Sequence, residues 1–175
     1  VEGKENWASV ARLINAGYLA AKQRFPDTEV IVHLDRGYDR SLHQSWFDAF
    51  VWAGGQWDIS GVSFYPYWQP EGTVAQLRSN LENLTRRYGK PTMICEVGGR
   101  ADAPRETHAL LLSVLEAARA VPRCQGVFYW EPLASPEAVG GYLLGACVSA
   151  GENTLRFNGA LGAFRNKNSK EIASP

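Results

Sequence analysis

Four short apolar runs in this 175-residue sequence each close on ionisable or aromatic side chains. The first closes on His33-Leu34-Asp35 and the second runs through Ser63-Phe64-Tyr65-Pro66-Tyr67-Trp68. The third closes on Cys95-Glu96-Val97-Gly98-Gly99 and the fourth on Tyr129-Trp130-Glu131-Pro132. Carboxyl groups among aromatic rings suit a sugar-binding cleft. Rings offer flat apolar faces for stacking, and a carboxylate can attack an anomeric carbon or protonate a leaving oxygen. Glu96 is the sharpest candidate, because it ends the apolar run Met93-Ile94-Cys95 just before two glycines. The plainer alternative is a solvated carboxylate at a strand end, and the local pattern leaves both open. Glu131 is a rival carboxylate, but Pro132 and its place beyond the strand point to Trp130 as the residue facing a ligand.

Other chemistries find less support. His33 and Asp35 lie one residue apart, too few for a metal site by themselves. No glycine-rich loop between a strand and a helix is present to cradle phosphate. Ser63 sits inside a strand-like run and not on the Gly-x-Ser-x-Gly elbow of a hydrolase. His43 and His108 fall on helical patterns and are read as packing or surface residues. Asn83-Leu84-Thr85 matches a glycosylation sequon, but inside a predicted helix. Lysines and arginines balance aspartates and glutamates, 18 against 18, which favours neither nucleic acid nor an anionic membrane surface. No apolar run approaches the roughly 18 residues of a membrane span. The three cysteines lack metal-type spacing. Cys95 and Cys124 are expected unpaired, because one ends its strand and the other precedes the next.

These side chains must be positioned by regular elements. The spacing predicts strands over Glu29–Leu34, Ile59–Tyr65, Thr92–Glu96 and Gly126–Trp130. Apolar stripes with steps of three and four separate them. They comprise Trp7, Val10, Ile14, Tyr18 and Ala21; Leu42, Trp46, Phe47, Phe50 and Val51; Val74, Leu77, Leu81, Leu84 and Tyr88; and His108, Leu111, Leu112, Leu115 and Ala118. Pro26, Gly54-Gly55, Gly89 and Pro122 stop the four helices. The remainder, from Leu133, is read as a tail with one short helix around Leu161–Phe164. Strands starting near residues 29, 59, 92 and 126 have the regular spacing of βα units with parallel pairing. Two α/β architectures fit: a doubly wound open sheet, or part of a (β/α)8 barrel, which needs about 250 residues when complete. In either, functional residues gather at the C-terminal ends of the strands.

The segments Val30–Asp35, Ile59–Trp68, Tyr88–Gly98 and Gly126–Pro132, in that order, resemble glycoside hydrolase family 53, the endo-β-1,4-galactanases acting on galactan and type I arabinogalactan. Gly3–Gly17 and Gly141–Arg165 are also similar to family segments, so the resemblance spans nearly the whole chain. It implies a TIM barrel of which residues 1–175 form the C-terminal half, with strands five to eight present. It implies a retaining mechanism with Glu96 as nucleophile, Tyr65 orienting it, Trp130 under the reacting sugar, and His33, Asp35, Tyr67 and Trp68 as substrate-binding residues. No cofactor is implied. The family's acid/base glutamate, in an Asn-Glu motif ending strand four, has no counterpart here. Glu2 and Glu5 precede a helix and cannot replace it. The expected partner is therefore an N-terminal half barrel or a second chain. Some family members bind calcium after strand eight, but Leu133–Gly141 carries one carboxylate, Glu137, so no calcium site is expected. A polymeric substrate implies a secreted or periplasmic protein. The alternatives are a non-catalytic galactan-binding half barrel, and an unrelated doubly wound domain for a phosphate or nucleotide ligand.

Overall fold

The computed structural model describes residues 4–135 and 140–165. Glu2 and Glu137, weighed above as carboxylates, lie outside the described residues, as does the side chain of Glu5. The elements run α1 (Lys4–Arg24), β1 (Ile31–Leu34), α2 (Arg40–Trp52), β2 (Ile59–Phe64), α3 (Val74–Tyr88), β3 (Thr92–Val97), α4 (Pro104–Ala120) and β4 (Cys124–Tyr129). The predicted order holds, with strand boundaries moved by one or two residues. The tail holds more than the sequence announced. A hairpin of β5 (Cys147–Gly151) and β6 (Thr154–Phe157) precedes a 3-10 helix, Gly159–Phe164. The hairpin escapes sequence reading because its strands are short and β6 is exposed throughout, so no burial pattern marks it. Its turn places Asn153 at φ 55°, a region asparagine tolerates.

All pairings among the first four strands are parallel and follow chain order, β1-β2-β3-β4. Consecutive helices pack side by side: α1 on α2, α2 on α3, α3 on α4. Right-handed crossovers without a reversal of strand order keep every helix on one face. That is the winding of a barrel, whereas a doubly wound sheet reverses direction part-way. The doubly wound alternative is thereby set aside.

The core lies between this helix layer and one face of the sheet. Val32, Val62, Phe64, Ile94 and Val97 come from the strands, and Phe47, Phe50, Leu77, Leu81, Leu84, Leu111 and Val114 from the helices. The tryptophans divide by role. Trp7 and Trp57 are buried, and Trp46 packs against Phe50 at 5.0 Å between ring centres. Trp68 and Trp130 are exposed beyond the ends of β2 and β4. Thr73 begins α3 with a reciprocal capping box to Gln76, and Gly89 ends it at φ 65°, a conformation that costs glycine little. Asn83, in the sequon, is 4% exposed on α3, which places it away from the surface loops where glycosylation acts. His108 sits on α4 with Nδ1 3.3 Å from Ala160 O. Cys95 and Cys124 are free thiols, and Cys124 lies opposite Thr92 at the far end of the strand from Cys95. No helix of the described residues is long and apolar enough to cross a membrane.

His43 is fully buried on α2 and donates from Nε2 to Asp35 O at 2.9 Å. Burial lowers its pKa below the ordinary 6.5, so the unfolded chain takes up the proton first as pH falls. His43 thus stabilises the fold above that ordinary value and loses the contribution as pH drops toward the folded-state pKa. We expect His43→Gln to flatten this part of the stability curve between pH ~6.5 and more acidic values, measured by urea unfolding at a series of pH values.

Candidate active site

One irregularity of the sheet decides where Glu96 points. The β2–β3 register pairs Val62 with Ile94 and then Ser63 with Glu96, leaving Cys95 as an extra residue. Ile94 and Val97 both face the helix-side core. Strict alternation from Ile94 would send Glu96 to that same side; the bulge turns it to the open face instead. There it meets His33, which alternation on β1 places opposite buried Val32, and Ser63 from β2. Gly61 sits below them. A Cβ at that position would lie 2.7 Å from both Cys95 Sγ and Ile31 Cγ2, so glycine lets the neighbouring strands' side chains converge on this face.

The resulting cleft of about 340 Å³ is lined by His33, Asp35, Ser63, Tyr65, Trp68, Gln69 and Glu96. Tyr65 Oη donates to Glu96 Oε2 at 3.0 Å. His33 Nδ1 lies 4.0 Å from Glu96 Oε1, and its Nε2 lies 2.7 Å from Ser63 Oγ. Gln69 Nε2 donates to Asp35 Oδ2 at 3.0 Å. The Trp68 ring packs 4.9 Å from that of Tyr65 and 6.1 Å from that of Tyr142. Burial, aided by Tyr142 and the Glu96 carboxylate, raises the Tyr65 pKa, so its phenol remains a donor. Burial likewise pushes Tyr142 up to about 12 and the Cys95 thiol up to about 11. Cys95 therefore stays a thiol beside Glu96 and offers no competing nucleophile.

The loop after β1 is held from three sides. His43 binds Asp35 O, Gly37 N donates to Ser63 O at 2.7 Å, and Asn80 of α3 donates to Gly37 O at 2.8 Å. The segment after β2 turns back on itself, with Gln69 N donating to Tyr65 O at 3.0 Å. At the end of β4, Tyr129 Oη lies 2.7 Å from Leu144 O, tying the strand to the loop that carries Tyr142.

Five of the predicted site residues thus converge: His33, Asp35, Tyr65, Trp68 and Glu96. Tyr67 lines a neighbouring depression with Gly98, Gly99 and Arg100. Trp130 is 44% exposed just past β4, with its backbone N donating to Val97 O at 3.0 Å. It stands outside the lining of the depression around Glu96 but on the same open face of the sheet. Its side of the sheet is that of exposed Phe128, opposite the core-packed Val127 and Tyr129. Glu131 is exposed at φ 48° and also lies outside the lining. Ser63 and Gln69 were not singled out as site residues in the sequence. Ser63 carried a weak signal, standing two residues before Tyr65. Tyr142 carried none, because a loop far along the chain brings it in. Among the described residues, no group of three or more His, Cys, Asp or Glu side chains is placed to hold a metal. A depression of similar volume is lined by Tyr38, Asp39, Arg40, Ser41, Gln76 and Ser79. There Asp39 caps Leu42 N at 2.9 Å and Tyr38 is bonded to Glu71.

The match to known proteins agrees with this architecture. The model of Glycosyl hydrolase family 53 matches residues 1–168. The chain belongs to that family. It is 31% identical to an uncharacterized protein in the bgaB 5′ region of Niallia circulans, covering 73% of this chain and 41% of that protein. It is 26% identical to the arabinogalactan endo-β-1,4-galactanase of Thermothelomyces thermophilus, covering 73% and 46%. A solved fungal β-1,4-galactanase superposes with a TM-score of 0.68 at 27% identity, covering 73% and 46%. The GH53 catalytic domain of Ignisphaera aggregans gives 0.68 at 21% identity, covering 80% and 45%, a likeness of fold. The chain spans less than half the length of these relatives, 41–46%.

Gly37 makes a close backbone approach that supports the cleft. A Cβ there would lie 2.7 Å from Ser63 O, a backbone atom that cannot swing away. Gly37→Ala is expected to destabilise the chain by about 1–3 kcal/mol through overpacking, read from the urea midpoint.

Proposed function

We propose that this chain carries the nucleophile half of a retaining endo-β-1,4-galactanase, with β1 to β4 as strands five to eight of one (β/α)8 catalytic domain. The observation that carries the reading is the Glu96 carboxylate, turned by a bulge into a strand-end cleft and held by the Tyr65 hydroxyl at 3.0 Å. Family membership and the named galactanase relatives give the substrate class, β-1,4-linked galactan. Glu96 attacks the anomeric carbon as the glycosidic C–O bond breaks, the leaving oxygen taking its proton from the acid/base of the other half barrel, and a glycosyl-enzyme intermediate forms. Water then releases the sugar with its configuration retained. Tyr65 keeps the carboxylate aimed. Trp68 offers a stacking face, with Asp35, Gln69 and His33 as polar partners for sugar hydroxyls. Trp130 serves as the platform under the reacting galactose from the β4 side.

The acid/base belongs to the other half of the barrel. A retaining pair needs carboxyl groups about 5–5.5 Å apart. Asp35, the second carboxylate of this cleft, is engaged by Gln69 and is read as a binding group. Among the described residues β1 and β4 are the edge strands of the four-stranded sheet, and Phe128 is 60% exposed on the open face. An N-terminal half barrel would cover all three. Such an enzyme acts on a polymer outside the cell and needs no cofactor for the two steps above. A galactan-binding half barrel without turnover is the second reading. It is favoured if this chain functions apart from strands one to four, since the cleft's aromatic and polar residues would remain.

The test is turnover of β-1,4-galactan by this chain alone and together with a matching N-terminal half. The combination is expected to be active and this chain alone inactive. In the active form, Glu96→Gln should lower kcat by at least ~10³-fold. Tyr65→Phe should lower it by roughly 10–100-fold, the value of a hydrogen bond to a charged group. Activity surviving Glu96→Gln would remove Glu96 from the mechanism.

A further inference from the structure

We propose that Ser63 and His33 form a positioning pair for Glu96, in which the Ser63 hydroxyl donates to Nε2 and holds the imidazole in the tautomer that turns Nδ1–H toward Glu96 Oε1. The proposal rests on the reading of Glu96 as nucleophile and names how its second oxygen is controlled. Tyr65 holds Oε2 at 3.0 Å, and the His33 ring faces Oε1 from Nδ1 at 4.0 Å. The opposite edge of the ring, Nε2, lies 2.7 Å from Ser63 Oγ. Ser63 is 4% exposed, and its carbonyl is pinned by Gly37 N, so the hydroxyl is a fixed partner on a rigid strand.

A neutral imidazole has one N–H donor and one acceptor nitrogen. With the proton on Nε2, the ring would donate to Ser63 and turn the Nδ1 lone pair toward an acceptor-only carboxylate, a repulsive arrangement. With the proton on Nδ1, Ser63 O–H donates to Nε2 and the Nδ1–H dipole points at Oε1. A serine hydroxyl serves equally as donor or acceptor. The carboxylate disfavours the Nε2–H form, and Ser63, by donating to Nε2, holds the ring in the Nδ1–H tautomer, which loses that partner when the hydroxyl is removed. At 4.0 Å the Nδ1–Oε1 approach is longer than a hydrogen bond. It acts as an oriented dipole that closes as the ligand-bound site tightens. The bulge after Ile94 is what brings Glu96 level with Ser63, so the pair and the nucleophile share one structural origin.

The experiment uses this chain combined with the matching N-terminal half, the form in which turnover is expected. Two-bond ¹H–¹⁵N spectra of the His33 ring, at a pH where it is neutral, are expected to show Nδ1 protonated and Nε2 as acceptor. Ser63→Ala should move the ring away from that tautomer and lower kcat on β-1,4-galactan on the order of tenfold with KM little changed. Ser63→Thr, which keeps the hydroxyl, should restore both. An Nε2–H tautomer in the unaltered protein overturns the proposal without any variant having to fold. A kcat unchanged in a folded Ser63→Ala variant, or a fall in kcat with the tautomer unmoved, also overturns it. Glu96→Gln in the same protein separates the two ideas. Its retained activity would remove the nucleophile reading, whereas its inactivity beside a negative Ser63 result removes the positioning pair alone.

Discussion

The site depends on one extra residue in the pairing of β2 with β3. A parallel sheet alternates its side chains between two faces, and here one face is committed to the helix layer. Ile94 and Val97 satisfy that layer from positions three apart, which a regular strand cannot do. The strand accommodates both by bulging at Cys95. The consequence is that Cys95 and Glu96 both serve the open face. Without the bulge, Glu96 would be a carboxylate driven into apolar packing, at a large desolvation cost.

Around that residue, the supports act through backbone as much as side chain. Gly37, Asn80 and His43 fix the loop carrying Asp35, and the same Gly37 amide fixes the strand position of Ser63. The cleft is consequently attached to α2 and α3, not only to the strands it crowns. Tyr65 joins the two levels of organisation. Its ring is buried beneath Trp68 and its hydroxyl reaches Glu96, so a change in the aromatic shelf is also a change at the carboxylate.

The order of strands and helices was legible because it rests on local chemistry. Apolar periodicity, glycine and proline stops and a regular βα spacing each act over a few residues. The strand ends then pointed to Glu96, Tyr65, His33, Asp35 and Trp68, since parallel sheets concentrate function there. The β5–β6 hairpin was not legible, because exposed short strands leave no burial pattern. Trp130 was apparent at a strand end, and the structure places it just past β4 on the side of the sheet that carries exposed Phe128.

The sequence by itself determined the class of winding to within two options, the family resemblance and the acidic residue at the end of the third strand. Only the tertiary structure decided that the sheet is wound one way with its helices on one face. It also decided that Glu96 faces the cleft, and that Ser63, Gln69 and Tyr142 belong beside it. The physical reason is that strand parity is a property of pairing. A single bulge reverses the face of every following residue, and no local pattern in Thr92–Val97 announces which neighbour Glu96 will meet.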